Sequence, residues 1–120
     1  MVLVDTSVWM NHLRKSEPYL KTLLLNGDVY CHPFVVGELA CGSIKNRQEI
    51  ISLLQSLPST RTIDDSEYLY FIEKNKLYSK GVGYVDIHLL ASSKLESVKL
   101  WTEDKRLKKI ANDLGLSYDD

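Results

Sequence analysis

Asp5, Glu38, Asp86 and Asp104 each stand where an apolar run gives way to another element. Asp5 closes Val2-Leu3-Val4, and Glu38 lies in the early turns of the helix-like stretch 34–44. Asp86 opens the apolar run 87–95, and Asp104 follows Leu100-Trp101-Thr102. Carboxylates at strand ends and helix starts can converge on one cleft, and clusters of that kind ordinarily hold a divalent cation. Taken singly, Asp5, Asp86 and Asp104 compete with a helix-capping role, and Glu38 with a half-exposed surface position. Taken together they pose an electrostatic problem. Oxygens ~4 Å apart repel by about 4 kcal/mol per pair at an effective dielectric near 20. Several such pairs rival the ~5–15 kcal/mol that holds a domain together. Protonation or a cation must relieve them. All-oxygen ligation favours Mg²⁺, or Mn²⁺ in its place, over Zn²⁺.

The elements that must position these acids alternate. Strands are expected at 2–5, 29–31, 61–63 (the weakest) and 98–101. Asp5-Thr6-Ser7 offers caps for a helix carrying Val8, Trp9 and Leu13. Ser16-Glu17-Pro18 starts a second helix, which Asn26-Gly27 ends. Further helices follow Pro33, span 46–57 up to Pro58, run from Asp64-Asp65-Ser66 through Tyr78, occupy 85–95 and extend from Asp104 to Leu114. The 85–95 run is apolar almost all round, which places it inside the fold. Short apolar strands alternating with helices predict an α/β fold with a parallel sheet covered on both faces. Ligand sites in such sheets gather beyond the carboxyl ends of the strands.

Composition bounds the rest. The 120 residues are expected to form one domain, 1–120, with a substantial core. A hydrophobic fraction of 44% and a charged fraction of 26% are those of a soluble globular chain. No apolar stretch approaches the ~20 residues of a membrane span, and no signal-like segment opens the chain. A cytoplasmic location is therefore expected, with no membrane partner. Cys31 and Cys41 form no C-x-x-C pair and read as reduced structural thiols. A net charge of −1 argues against a basic nucleic-acid coat protein. It leaves room for an enzyme with a basic rim around an acidic centre.

The segments 2–9 (VLVDTSVW), 35–39 (VVGEL), 83–92 (GYVDIHLLAS) and 100–107 (LWTEDKRL) together resemble a PIN-domain ribonuclease, and within that group a VapC-type toxin of a type II toxin–antitoxin pair. The D-T-S opening and the G-x-x-D-x-x-L-x-A-like segment are the most specific. The resemblance implies a small three-layer α/β/α sandwich around a short parallel sheet. It implies that Asp5, Glu38, Asp86 and Asp104 form a metal-binding catalytic cluster, with Asp5 and Asp86 as direct ligands. Thr6 and Thr102 would supply hydroxyls close to the cation. It further implies Mg²⁺- or Mn²⁺-dependent cleavage of RNA, often transfer RNA, a small cognate antitoxin that lays a C-terminal peptide across the groove, and a homodimer. Glu103 competes with Asp104 for the fourth acidic place; Asp104 keeps the T-x-D spacing.

The chemistry expected is attack of activated water on a phosphodiester, the cation offsetting charge on the transition state. Lys105, Arg106, Lys108 and Lys109 are candidates for substrate phosphates, as are Arg14, Lys15, Lys45 and Arg47; a solvated charged face is the alternative for each. Trp9 and Tyr84 could stack on bases, though core packing or a dimer contact is preferred for Trp9. His88, two residues after Asp86, is expected to point away from the acids. Two other readings compete. One is a PIN-like module that binds RNA or a partner without cutting. The other is a receiver-like phosphoacceptor domain, poorly served by a single Asp5 and by Ile63-Asp64.

Overall fold

The computed structural model describes residues 1–119; Asp120, the last residue of the expected 1–120 domain, lies outside the described residues. The chain runs β1 (Val2–Val4), α1 (Thr6–Lys15), α2 (Pro18–Leu25), β2 (Val29–Tyr30), α3 (Pro33–Cys41), α4 (Arg47–Ser56), α5 (Asp65–Asn75), α6 (Tyr84–Glu96), β3 (Lys99–Trp101) and α7 (Lys105–Asp113). The sheet has the order β2-β1-β3 and both pairings are parallel. Neighbouring residues of a strand face opposite sides of its sheet, yet Val2, Leu3 and Val4 are all buried. Both faces of β1 are therefore covered, as a three-layer α/β/α sandwich requires.

The expected strand at 61–63 does not form. Pairing with β2 occurs just upstream, where Cys31 bridges Ser59 and exchanges backbone hydrogen bonds with Pro58 and Thr60. The Arg61 amide donates instead to a Glu96 carboxylate oxygen at 2.8 Å, which removes it from any ladder. The helix expected through Tyr78 stops at Asn75 because Lys76 turns left-handed at φ 53°. The seven consecutive residues Ile87 to Ser93 are buried, so α6 is the internal helix its composition predicts. α7 buries Leu107, Ile110 and Ala111 against the core. No helix among the described residues is long and apolar enough to cross a membrane. Cys31 is buried, Cys41 exposed, and both are free thiols.

The connections set the site. From β1 the chain crosses to β2 on one side, then returns past β1 to β3 on the other. The crevice between the carboxyl ends of β1 and β3 is where an open parallel sheet leaves room for a ligand. The Asp5 amide donates to the Trp101 carbonyl at 2.9 Å and joins the two strand ends there.

Candidate active site

Asp5 occupies the N-cap position of α1 but makes no side-chain cap. Its carboxylate is used across the crevice. Oδ2 accepts from Thr102 Oγ1 at 2.7 Å and from Ser7 Oγ at 2.8 Å. Thr102 also accepts from the Asp104 amide at 3.1 Å, and Ser7 Oγ accepts from the Glu103 amide at 3.0 Å. Asp5, Ser7 and Thr102 thus tie the end of β1 to the loop after β3. Asp5 and Thr102 are buried, so these bonds act at low dielectric.

The other three acids arrive on helices. Glu38 is exposed on α3, and its Oε1 accepts from Thr6 Oγ1 at 2.7 Å, linking α3 to the first residue of α1. Asp86 is half-buried in the first turn of α6, where Oδ2 accepts from the Gly83 amide at 3.1 Å. Asp104 caps α7, with Oδ1 accepting from the Leu107 amide at 2.9 Å. Each acid therefore has one oxygen held by the fold. Its other oxygen has no hydrogen-bond donor among the described residues.

Charge shows that the four share one field. Burial lifts the Asp86 carboxyl above the usual carboxylate range, the Gly83 amide opposes the shift, and the charges of Asp5, Asp104 and Glu38 reinforce it. Glu103 borders a groove of about 500 Å³ with Tyr19, Trp101, Lys108 and Tyr118. Among the described residues no three His, Cys, Asp or Glu side chains stand together as a group that could hold a metal ion. The acids share a face and a field without being closed into a ligand cage.

The basic residues disperse. Arg106 lies against Gly81, where an added Cβ would come within 2.7 Å of its guanidinium, and it has no acidic partner among the described residues. Lys109 pairs with Asp113 at 3.8 Å, Lys108 borders the groove beside Glu103, and Lys105 is the exposed first residue of α7. Arg47 donates to the Ala40 and Gly42 carbonyls at the end of α3, and Arg14 to Asn11, so both are engaged within the fold. Lys15 and Lys45 are exposed.

Trp9 is buried and packs edge-on to His12. Tyr84 is exposed and stacks with Phe34. His88 is buried against Tyr68, Phe34 and Tyr84, with neither ring nitrogen partnered among the described residues. Asp64 ends no strand; it caps α5 in a reciprocal box with Glu67, which leaves a receiver-like phosphoacceptor without its place.

Sequence reasoning missed Ser7 and His32. Ser7 reads as a helix cap, yet it bridges Asp5 and the Glu103 amide; the signal was a second hydroxyl within one turn of the acid. His32 carries no pattern beyond its place before Pro33, yet it is fully buried and polar.

The description "PIN domain" belongs to the family whose sequence pattern matches residues 2–113, and the chain belongs to that family. At the level of individual relatives it is similar to Ribonuclease VapC32 of Mycobacterium tuberculosis, being 42% identical over 118 residues, which is 98% of this chain and 95% of that protein. Its fold is similar to that of PAE2754 from Pyrobaculum aerophilum (TM-score 0.66, 12% identity, covering 91% of this chain and 83% of the other). It is also similar to FitAcB from Neisseria gonorrhoeae (TM-score 0.63, 21% identity, covering 93% and 94%). At those identities the two structures bear on the fold alone.

Proposed function

We propose that residues 1–120 act as one nuclease domain, a metal-dependent endoribonuclease that is the toxin of a type II toxin–antitoxin pair in the cytoplasm. Transfer RNA is the proposed substrate class, a small cognate antitoxin the proposed inhibitor, and a homodimer the proposed assembly. The observation that carries the reading is that the charges of Asp5, Glu38 and Asp104, from three other parts of the chain, all act on Asp86 in a fold built on a parallel sheet. Similarity to a protein called a ribonuclease supports RNA as the substrate.

The donor chemistry fits a hard divalent cation: four carboxylates contribute, with no imidazole or thiolate among them. Asp5 and Asp86 would hold Mg²⁺ or Mn²⁺ directly, with Glu38 and Asp104 completing the acidic set. When bound, the cation supplies Lewis-acid stabilisation of charge on the scissile phosphate and lowers the pKa of water. Thr102 and Ser7 fix the Asp5 carboxylate through Oδ2 and leave Oδ1 for that role. Thr6 fixes Glu38, whose exposed carboxylate can orient the attacking water or take its proton. Lys105 and Arg106, at the start of α7 next to Asp104, would meet substrate phosphates in this reading. Attack by water predicts products with 5′-phosphate and 3′-hydroxyl ends.

The test is cleavage of a structured RNA pool by the purified, antitoxin-free protein in Mg²⁺, Mn²⁺ or EDTA, beside Asp5→Asn and Asp86→Asn. Metal-dependent cutting by the wild type alone supports the proposal. Cutting in EDTA, or full activity in both variants, defeats it.

A further inference from the structure

His32 is fully buried, and its hydrogen bonds have only one consistent direction. Nδ1 accepts from the Phe34 amide at 3.0 Å, so that nitrogen carries no proton. Burial, and secondarily the nearby His88, pushes the imidazole pKa down to about 4, so the ring is neutral at physiological pH. The ring proton therefore sits on Nε2, which faces Ser92 Oγ at 3.1 Å. Ser92 in turn donates to the Arg61 carbonyl at 2.8 Å. Each donor in this chain has one acceptor. Reversing either bond would leave a buried group unpaired.

The chain joins the two internal supports of the acidic site. His32 caps α3, which carries Glu38, and Ser92 sits within α6, which carries Asp86. Glu38 is six positions along the chain from His32, and Asp86 six positions from Ser92. At 1.5 Å per residue, each arm is about 9 Å of helix axis. Phe34 lies against His88, between Ser92 and Asp86, and against Tyr84 just beyond Asp86, so the same two helices also touch near the site. Fixing one α3–α6 contact in direction and length constrains the separation of two carboxylates a short rigid arm away. A polar bond does this more sharply than apolar packing, which tolerates sliding.

We propose that the His32–Ser92 hydrogen bond is the positioning device that sets the spacing of Glu38 and Asp86, and hence the affinity of the acidic site for its cation; this rests on the metal-dependent reading above. His32 touches no reacting atom and is a positioning residue.

Three variants separate its two bonds. His32→Asn places an amide oxygen near the Nδ1 position, keeping the α3 cap and losing the link to Ser92. His32→Gln places an amide nitrogen near Nε2, keeping the link and losing the cap. Ser92→Ala removes the link from the other side. Mn²⁺ affinity is measured on each protein by calorimetric titration, together with kcat and KM for RNA and a thermal melt. The expected result is about tenfold weaker Mn²⁺ binding and about tenfold lower kcat in His32→Asn and Ser92→Ala, with KM within about twofold of wild type. His32→Gln stays within about threefold of wild type in both, whatever its melting temperature. The double variant His32→Asn/Ser92→Ala is no worse than either single one. Wild-type Mn²⁺ affinity in His32→Asn and Ser92→Ala, or a loss in His32→Gln as large as in His32→Asn, overturns the inference. Asp86→Asn serves as the separate control: if it binds Mn²⁺ as the wild type does, the metal-site reading itself fails and takes the inference with it.

Discussion

Thr102→Val isolates the contact between the end of β1 and the loop after β3. The substitution keeps the side chain's shape and exchanges its hydroxyl for a methyl, so no cavity opens. Thr102 is 3% exposed, and its hydroxyl makes a 2.7 Å bond to Asp5 Oδ2 and accepts the Asp104 amide at 3.1 Å. A hydrogen bond to a charged group contributes about 1.5–3 kcal/mol, and a neutral one about 1 kcal/mol. Asp5 keeps its second donor, Ser7, so its charge is not left wholly unpaired. The Asp104 amide is part-buried, so water replaces some of what it loses. The expected cost is about 2–3 kcal/mol, a large share of the ~5–15 kcal/mol of an ordinary domain. Urea unfolding at pH 7 in EDTA, with the slope unchanged, measures it. Thr102→Ser retains the hydroxyl and should lose under about 1 kcal/mol. A Thr102→Val protein within about 0.5 kcal/mol of wild type, or a Ser variant as damaged as the Val variant, would refute the reasoning.

Asp86→Asn should stabilise the protein in EDTA at neutral pH, because it removes a carboxylate whose ionisation is opposed by burial and by three neighbouring charges. The sign follows from the raised folded-state pKa. The wild-type penalty is absent below the ordinary 3.8, grows between it and the higher folded value, and is fully present above that. Melts of the two proteins from pH 3 upward should therefore converge in acid; a variant less stable at pH 7 contradicts this. Adding Mg²⁺ should raise the wild-type melting temperature and leave that of Asp86→Asn nearly unmoved, as differential scanning fluorimetry would show. Leu89→Ala, at a fully buried position of α6, should cost about 2–5 kcal/mol in urea unfolding. Gly81→Ala should cost about 1–2 kcal/mol, since Gly81 has φ +78° and the new Cβ must displace the Arg106 guanidinium; a neutral result would show that the loop before α6 relaxes freely.

Much of this architecture was legible because local signals agreed with tertiary demands. Val2-Leu3-Val4 reads as a strand buried on both faces, and the apolar girth of 87–95 as an internal helix; both are so placed. The strand expected at 61–63 does not form, because β-propensity at Thr62-Ile63 says nothing of where a backbone amide will bond. A Glu96 carboxylate thirty-five residues away captured the Arg61 amide. The placement of Asp5, Asp86 and Asp104 at or near element ends was visible, as was that of Glu38 on a helix, but their partners were not. Whether Asp5 caps its own helix or reaches Thr102 depends on β3 lying beside β1, a fact of strand order that sequence order does not contain. His32 was invisible for the same reason, since its partner Ser92 is sixty residues away.

Cleavage of RNA by the purified protein, with the product ends identified, bears most directly on the central claim. The expected result is cutting in Mg²⁺ or Mn²⁺ that stops in EDTA, is lost in Asp5→Asn and Asp86→Asn, and leaves 5′-phosphate and 3′-hydroxyl ends. Products ending in a 2′,3′-cyclic phosphate, or undiminished cutting in EDTA, would contradict it.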